Sequence, residues 1–359
     1  MEVLDLKLLN YRNFANVNIT FDPSGVLLYG KNGVGKTNIL EAISFFAFGK
    51  SIKLNKDNEL INFSKAFFRL EANFKLKSSK HFFEAAAYKN KKILKMDNEK
   101  ISKISDLFKY IKTIYFSPED INIISSAPSF RRKFLDIALS QYSFKYMETL
   151  RNYHRILKQR NALLKTEFSR EEKQAWDQQL IEFTAKIEQQ RLNYLSKFTP
   201  ILTKYYNNVT GESEKLQLKY KYSFPTNGKQ IDTDFTEHLA KIELQEIELQ
   251  RTLAGPHLSD LDFSINGYSS RKYSSQGQMR SIAIAAKLVQ AELISQNKED
   301  LPILMFDDVL ADLDEIRSAR ILDMFSDKHQ IFIATPNKKI YERFNLPEID
   351  VEKLTDSWN

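Results

Sequence analysis

The chain contains a run of residues suited to holding phosphate groups, Gly30-Lys31-Asn32-Gly33-Val34-Gly35-Lys36-Thr37. This run fits the pattern G-x-x-x-x-G-K-[ST] at every constrained position. Its glycines let the backbone curl so that successive N–H groups point at phosphate oxygens, and the helix predicted after it adds a positive N-terminal end. Lys36 is expected to reach the β- and γ-phosphates, and the Thr37 hydroxyl to ligate Mg²⁺. The run therefore predicts an ATP-binding loop.

A second feature is an apolar run that ends in two acids, Pro302-Ile303-Leu304-Met305-Phe306-Asp307-Asp308. A continuous apolar run predicts a strand buried on both faces, and its carboxyl end lies where α/β folds bind ligands. We expect Asp307 to hold Mg²⁺ through water and Asp308 to polarise the attacking water. With the glycine loop, the two acids predict a site of ATP hydrolysis.

A third feature precedes a predicted helix that ends near Ser295, and its sequence is Ser274-Ser275-Gln276-Gly277-Gln278-Met279-Arg280. A helix N-terminus with a hydroxyl and a close-approach glycine suits a γ-phosphate. The run resembles the L-S-G-G-Q signature of the ATP-binding-cassette superfamily, with Ser275, Gly277 and Gln278 retained. In that superfamily the signature contacts ATP held by the other subunit. The resemblance also places Asp314 in a D-loop that crosses the dimer interface, and Thr335 at the switch position, where transporters usually carry His.

The predicted elements place these runs at the ends of strands and helices. The apolar run 26–29 predicts a strand that leads into the glycine loop, and residues 38–48 have helical spacing. Long helices are predicted from about Pro128 to Asn207, where Ser169-Arg170-Glu171-Glu172 is a capping box. Asp260 to Ile265, with a turn at Asn266-Gly267, predicts a hairpin arm.

Strand–helix–strand order at both ends of the chain predicts an α/β fold with a parallel core interrupted by helices. Together with the superfamily resemblance, it predicts an ATP-binding-cassette ATPase head with a mixed β-sheet around the phosphate loop, an antiparallel β subdomain and an inserted helical lobe. We expect residues 1–125 and 250–359 to form the ATPase lobe and residues 126–249 the helical lobe.

Composition excludes several classes of protein. The chain has no cysteine, which excludes disulfides and thiolate metal sites, and no apolar run approaches the roughly 20 residues of a membrane-spanning helix. Its net charge of +7 fits a nucleic-acid partner, although a lysine-rich composition typical of AT-rich genomes gives the same balance. A cytoplasmic protein is expected.

Nearly the whole chain resembles the RecF family of bacterial DNA replication and repair ATPases. The resemblance is carried by the glycine loop and its helix, by the Ser275-Gln276-Gly277-Gln278 and Asp307-Asp308 runs, and by four other phrases: Asn10-Tyr11-Arg12-Asn13-Phe14, Phe116-Ser117-Pro118-Glu119-Asp120, Arg131-Arg132-Lys133-Phe134-Leu135-Asp136 and Gly255-Pro256-His257. It implies that Arg12 and Asn13 contribute to the nucleotide site. It also implies an ATP-driven homodimer that binds single- and double-stranded DNA with little sequence preference. Such a protein acts with RecO and RecR to load RecA at single-strand gaps and supports the SOS response.

The chain departs from the family pattern in three places. Leu258-Ser259 replace an Arg-Asp pair after His257, and Ala311-Asp312 replace the first two residues of the D-loop. Lys50-Ser51-Ile52-Lys53 stand where an arginine-bearing stretch is expected. These changes affect contacts near the dimer interface and the hairpin arm and leave the phosphate-binding residues intact. Asp308 is one methylene shorter than the usual Glu, so we expect a weak, DNA-stimulated ATPase that works as a switch.

The sequence alone does not identify the residues that contact DNA. Arg151, Arg155, Lys158 and Lys165 share one helical stripe, and Lys89, Lys91 and Lys92 form a turn cluster. Either group is equally compatible with a solvated surface. Arg131 and Arg132 suit either capping or sensing of the nucleotide region.

Two other functions are alternatives to that of a RecF-like ATPase. A transporter nucleotide-binding subunit would carry Gln after the strand 113–116 and His at position 335, where this chain has Ser117-Pro118-Glu119-Asp120 and Thr335. An SMC-type chromosome-structural ATPase would need hundreds of residues of coiled coil between its halves. This chain has only moderate helices there.

Overall fold

The computed structural model describes residues 1–53, 56–88, 91–211, 213–228, 230–296, 301–310, 315–325, 328–338 and 344–355. The chain forms two compact units. The first unit comprises Met1–Asp120, Asn208–Gly211 and Ile284–Asn359, and the second comprises Ile121–Asn207 and Glu212–Ala283. The two predicted lobes, residues 1–125 with 250–359 and residues 126–249, stay a prediction. The two compact units are defined only by which residues lie close together.

A parallel sheet in the first unit carries the chemistry predicted above. Its strand order is Glu348–Asp350, Gly25–Tyr29, Ile331–Thr335, Ile303–Asp307, Thr113–Phe116. Nearly every residue of the last four strands is buried, because layers of protein cover both faces of a parallel sheet. In the register, Asp307 pairs with Ala334 and Ala334 with Leu28. The carboxyl ends of three strands therefore lie level beside the glycine loop.

The first unit also contains an antiparallel sheet, which supplies the predicted antiparallel subdomain. Its strand order is Phe14–Thr20, Glu2–Tyr11, Phe67–Leu76, Ser79–Tyr88, Lys91–Met96, Glu99–Lys100. Inward-facing residues alternate with outward-facing ones along its central strands, as expected where one face is buried. The mixed character of the fold thus comes from one parallel and one antiparallel sheet.

The helix Lys36–Phe48 joins the two sheets of the first unit. Its residues are buried around almost the whole circumference, which explains why its sequence is apolar all round. Phe46 packs edge-on against Phe74 and Phe83 of the antiparallel sheet, with ring centroids 5.8 and 6.3 Å apart. The first turn of this helix follows the glycine loop directly, so the packing of both sheets fixes where the loop lies.

The second unit is mainly helical. The Ser169 capping box forms as predicted: the Ser169 N–H donates to Glu172 Oε2 at 2.8 Å, and the Glu172 N–H donates to Ser169 Oγ at 3.1 Å. The helix that starts there runs through Pro200 without interruption. The longer helices of this unit are Pro128–Tyr142, Phe144–Leu163, Arg170–Thr210 and Ile231–Leu249.

A small antiparallel sheet completes the second unit, with strand order Tyr268–Ser269, Asp260–Ile265, Leu216–Lys221. The hairpin predicted at Asn266-Gly267 is present, and both residues have positive φ, 52° and 87°. Two consecutive positive φ values define the turn type that favours Asn-Gly.

The remaining helices are short, apart from the signature helix, whose first residues belong to the second unit and whose later residues belong to the first. They are Leu107–Tyr110, Asn122–Ser125, Ser270–Tyr273, Gln276–Ser295, Glu315–Asp323 and Glu352–Thr355, with 3₁₀ turns at Asp57–Leu60, Ile104–Asp106 and Pro118–Ile121. No helix of the described residues combines the length and apolar character needed to cross a membrane. The predicted α/β fold with a phosphate-loop core and a helical lobe is confirmed.

The buried His329 makes the stability of the protein dependent on pH. Its ring lies 2.9 Å from Ser295 Oγ, and burial lowers its pKa to about 4. An unfolded His titrates near 6.5, so the unfolded state binds more protons between those values. The stabilising effect is complete above pH ~6.5 and is lost as the pH falls towards 4. By this linkage, His329 alone should contribute about 2 kcal/mol to the amount by which the free energy of unfolding is lower at pH 5.0 than at pH 7.5.

Urea unfolding of the wild type and of His329→Gln at both pH values measures this effect. The substitution should reduce the pH difference by about 2 kcal/mol. An identical pH dependence in the two proteins would contradict the assignment.

Candidate nucleotide-binding site

The glycine loop has the curled backbone that a phosphate cradle requires. Gly30, Gly33 and Gly35 have φ of 140°, 88° and 111°, a region that side chains disfavour. Space is also limiting at Gly35, where an added Cβ would lie 2.7 Å from the Asn13 amide and 2.8 Å from the Phe14 ring. Only glycine fits there, which accounts for its place in the sequence pattern.

Lys36 lies across the loop that precedes it. Its Nζ donates to the carbonyl oxygens of Gly30 at 2.7 Å and Lys31 at 2.9 Å, and its side chain is nearly buried. Burial lowers the pKa of Lys36, while the nearby carboxylates of Asp308 and Asp307 act in the opposite direction. The ammonium group is therefore held over the cradle. An anion bound there would compensate for the water contacts that the ammonium group loses through burial.

Asn13 fixes the loop from one side. Its Nδ2 donates to the Val34 carbonyl at 2.8 Å, and its Oδ1 accepts from Asn38 Nδ2 at 2.8 Å. Asn13 thus joins the loop to the helix behind it. These two bonds hold the shape of the loop, and the part of Asn13 in binding a nucleotide stays a prediction.

Arg12 lies beside Asn13 but its guanidinium is engaged elsewhere. It donates to Glu41 Oε2 from Nε at 3.0 Å and from a terminal nitrogen at 2.7 Å, and Glu41 is fully buried. Ser51 Oγ also donates to Glu41. A direct contact of Arg12 with a nucleotide stays a prediction.

The Asp307 carboxylate accepts hydrogen bonds from three side chains of the site. Thr37 Oγ1 donates to its Oδ1 at 2.6 Å, and Tyr115 and Lys53 donate to its Oδ2 at 2.5 and 2.9 Å. Burial, followed by the Asp307 charge, raises the pKa of Tyr115 well above its usual range, so Tyr115 is a neutral donor. The structure thus places the predicted metal residues Thr37 and Asp307 side by side, and their binding of Mg²⁺ stays a prediction.

Asp308 has an unusual backbone conformation, with φ of 57°. Its N–H donates to the Ala334 carbonyl at 3.0 Å, which extends the sheet by one bond beyond the end of the strand. Left-handed conformations are strained for residues other than glycine and occur often at functional sites. The strained backbone therefore lies at the residue predicted to be catalytic.

Sequence reasoning missed a residue that holds the loop from its other side, Glu352. The Lys31 N–H donates to Glu352 Oε1 at 2.8 Å, and Lys31 Nζ lies 3.6 Å from Oε2. The Lys31 N–H holds the pKa of the Glu352 carboxyl below its usual range. The C-terminal segment is anchored by a bond from the Val351 N–H to the Tyr29 carbonyl at 3.0 Å. No local pattern marks Glu352, because its partner is 321 residues away.

The signature residues lie in the second unit, at the start of the helix Gln276–Ser295. The Ser275 N–H donates to Gln278 Oε1 at 2.9 Å, and the Gln278 N–H donates to Ser275 Oγ at 3.1 Å. This reciprocal pair caps the helix. Ser275, Gln276 and Gly277 are exposed.

Some of the other predicted positions fall outside the described residues. Ala311, Asp312 and Asp314 lie outside the described residues, as does Lys89. Thr335 is fully buried and its Oγ1 accepts from the Asn337 N–H at 3.2 Å. Its role as a switch residue stays a prediction.

Arg131 and Arg132 contact the segment that follows the Gly255-Pro256-His257 phrase. Arg131 is buried and donates to both carboxylate oxygens of Asp260, at 2.8 and 3.0 Å. Arg132 donates to the Ser259 carbonyl at 3.3 Å. Both contacts lie within the second unit. Arg131 thus has a structural role there.

The predicted DNA-contacting cations differ in their surroundings. Arg155, Lys158 and Lys165 are exposed and form no ion pair with a described residue. Lys92 instead pairs with Asp57 at 2.5 Å and donates to the Gly49 carbonyl. The helical stripe therefore presents cations to solvent. In the turn cluster, Lys92 is instead bound to groups of the protein itself.

The fold and the site together define a class of proteins. The family model described as RecF/RecN/SMC N terminal domain matches residues 2–351. Within that class, the DNA replication and repair protein RecF of Lachnoclostridium phytofermentans is 38% identical over 328 residues, 90% of this chain and 89% of that protein. RecF of Clostridioides difficile is 33% identical, covering 98% and 97%. This chain belongs to the RecF family.

Solved structures agree with this assignment. The recombination mediator protein RecF with ATP, in the RecFOR pathway, has a TM-score of 0.88 and 30% identity, covering 98% of this chain and 96% of that one. An Smc head bound to the C-winged helix domain of ScpA has a TM-score of 0.57 at 13% identity, covering 95% and 92%. The second likeness concerns the fold alone. The SMC-type and transporter alternatives are not favoured.

Removing the Asn13 side chain should weaken ATP binding. In Asn13→Ala the Val34 carbonyl and the Asn38 amide lose their shared partner, and one such hydrogen bond contributes about 1 kcal/mol. We expect the Kd for ATP to rise about fivefold, measured by calorimetry. Asn38→Ala, which leaves the bond to Val34, should have a smaller effect. An unchanged Kd in Asn13→Ala would show that the loop does not depend on this residue.

Proposed function

We propose that this protein is an ATP-driven DNA-binding switch of recombinational repair and replication. The observation that carries the proposal is the conjunction of the glycine loop with two acids at the end of the adjoining parallel sheet. Thr37 of the loop and Asp307 of the strand are joined by a 2.6 Å hydrogen bond. Proteins of the same family that are 31–38% identical bear the name DNA replication and repair protein RecF.

The loop is suited to the phosphates of ATP. Curled backbone N–H groups and the N-terminal end of the helix Lys36–Phe48 attract anions, and Lys36 adds a full positive charge. Asn13 and Glu352 hold the loop in shape before a ligand arrives. Such preorganisation reduces the ordering cost of binding.

Thr37 and Asp307 are the residues that would hold Mg²⁺. A hydroxyl and a carboxylate are the oxygen ligands that this ion prefers. When bound with ATP, Mg²⁺ neutralises phosphate charge during hydrolysis. Tyr115 and Lys53 orient the Asp307 carboxylate towards Thr37, and Asp308 polarises the attacking water.

A second copy of the chain completes the site. The helix N-terminus formed by the exposed Ser275 and Gly277 and the half-buried Gln278 offers a hydroxyl and backbone N–H groups, and we assign it to the γ-phosphate of ATP held by the other copy. ATP then joins two chains, and hydrolysis releases them. The shorter Asp308 side chain makes turnover slow, which suits a timer.

DNA is the partner of the dimer. The chain carries a net charge of +7, and three exposed members of the helical stripe, Arg155, Lys158 and Lys165, suit phosphates of either single or double strands, whereas Arg151 is half-buried. The protein acts in the cytoplasm with RecR and RecO to load RecA at single-strand gaps, and so supports the SOS response. The name of the RecFOR pathway in the matched RecF structure supports this assignment.

Asp308→Asn should trap the ATP-bound dimer. Without the carboxylate that polarises water, hydrolysis should slow at least ~100-fold, since positioned bases contribute that much or more. Light scattering after gel filtration should show a dimer that persists in ATP. Lys36→Met, which loses the phosphate-binding cation, should stay monomeric. Hydrolysis by Asp308→Asn at the parental rate would remove Asp308 from the mechanism.

Neutralising the stripe should weaken DNA binding without affecting ATP. In the triple variant Arg155→Gln, Lys158→Gln, Lys165→Gln, the slope of log Kd against log salt for duplex DNA should fall by about 2 to 3, since each phosphate contact contributes nearly 1. A charge-matched control replaces Lys80, Lys100 and Lys103, which are exposed on the first unit. Equal salt slopes in the two triple variants would contradict a specific role for the stripe.

A further inference from the structure

Two large aromatic side chains lie exposed at the hairpin arm of the second unit. Tyr268 and Tyr273 are 69% and 71% exposed, and their ring centroids are 6.2 Å apart at an interplanar angle of 76°. Tyrosine is usually placed with most of its ring against other groups. A pair of rings held together in solvent therefore indicates a contact surface.

The backbone beneath the two rings is well fixed. Tyr268 pairs with Ile265 across the hairpin turn, and Asn266 exchanges two 3.0 Å hydrogen bonds with Lys215. The Ser274 N–H donates to the Ser270 carbonyl at 3.1 Å and closes the short helix that carries Tyr273. The backbone positions of both tyrosines are thus set in advance, which lowers the cost of ordering this segment on binding.

Two of the four residues between the tyrosines are cationic. Arg271 and Lys272 are exposed, and neither forms an ion pair with a described residue. This charge favours a polyanion. DNA carries such negative charge along its whole length.

We propose that Tyr268, Arg271, Lys272 and Tyr273, here named the tyrosine platform, bind single-stranded DNA by stacking on its bases. The aromatic faces stack on bases of any sequence, and the two cations contact the flanking phosphates. In a duplex the base faces are already stacked on one another, so the platform selects single strands. The inference rests on the proposed DNA-binding function and adds to it a site that recognises bases.

The test compares two probes of equal length and charge: a 20-nucleotide oligo-dT and an abasic oligonucleotide that has the phosphates without the bases. Binding of the full chain is measured with ATP at low and at raised salt, where the electrostatic share falls. The wild type should prefer oligo-dT. Tyr268→Ala with Tyr273→Ala should lose that preference, with affinity for oligo-dT lower by about tenfold or more, while Tyr268→Phe with Tyr273→Phe keeps it. Tyr88→Ala, at another exposed tyrosine, is the matched control.

Other results would overturn either base stacking or the DNA-binding function, and the two cases can be told apart. Equal affinity of the wild type for oligo-dT and the abasic probe would overturn base stacking. An equal loss for oligo-dT and for duplex in the alanine variant would also overturn it, and so would loss of the ATP-dependent dimer, which would make the platform an interface between copies. If the wild type bound neither probe nor duplex, the proposed DNA-binding function itself would fail.

Discussion

The buried carboxylate of Asp307 is the constraint on which the nucleotide site depends. It is 4% exposed at the end of a strand covered on both faces. A charge so placed is costly unless donors surround it, and Thr37, Tyr115 and Lys53 supply them from three other segments of the chain. Satisfying this one charge therefore fixes the start of the helix after the glycine loop against two neighbouring strands.

The glycine loop is held by partners from both ends of the chain. Asn13, near the N-terminus, binds the Val34 carbonyl, and Glu352, in the C-terminal segment, accepts from the Lys31 N–H. The short strand Glu348–Asp350 adds the C-terminal segment to the same sheet as Gly25–Tyr29. The loop thus has its shape because distant segments converge on it.

The sequence predicted the parts of the site that local patterns encode. The glycine loop and the Asp307-Asp308 run follow from spacing and hydrophobicity within eight residues, and the Asn266-Gly267 turn follows from two residues that tolerate positive φ. Tyr115, Lys53 and Glu352 carry no such signal. Which side chain of the strand Thr113–Phe116 faces Asp307 depends on the register between strands 192 residues apart. Likewise, the choice between roles for Arg131 depended on finding Asp260 beside it, 129 residues away.

We propose that each ATP lies between the glycine loop of one chain and the signature of another. Mixing two inactive variants distinguishes such a shared site from a site within one chain: Lys36→Met, with an intact signature, and Ser275→Arg, with an intact loop. ATP hydrolysis is measured for each variant alone and for the equimolar mixture. In a mixed dimer one site combines the intact loop with the intact signature, so the mixture should hydrolyse ATP faster than the sum of the two variants. A mixture no more active than that sum, although each variant is folded, would contradict a site shared between two chains.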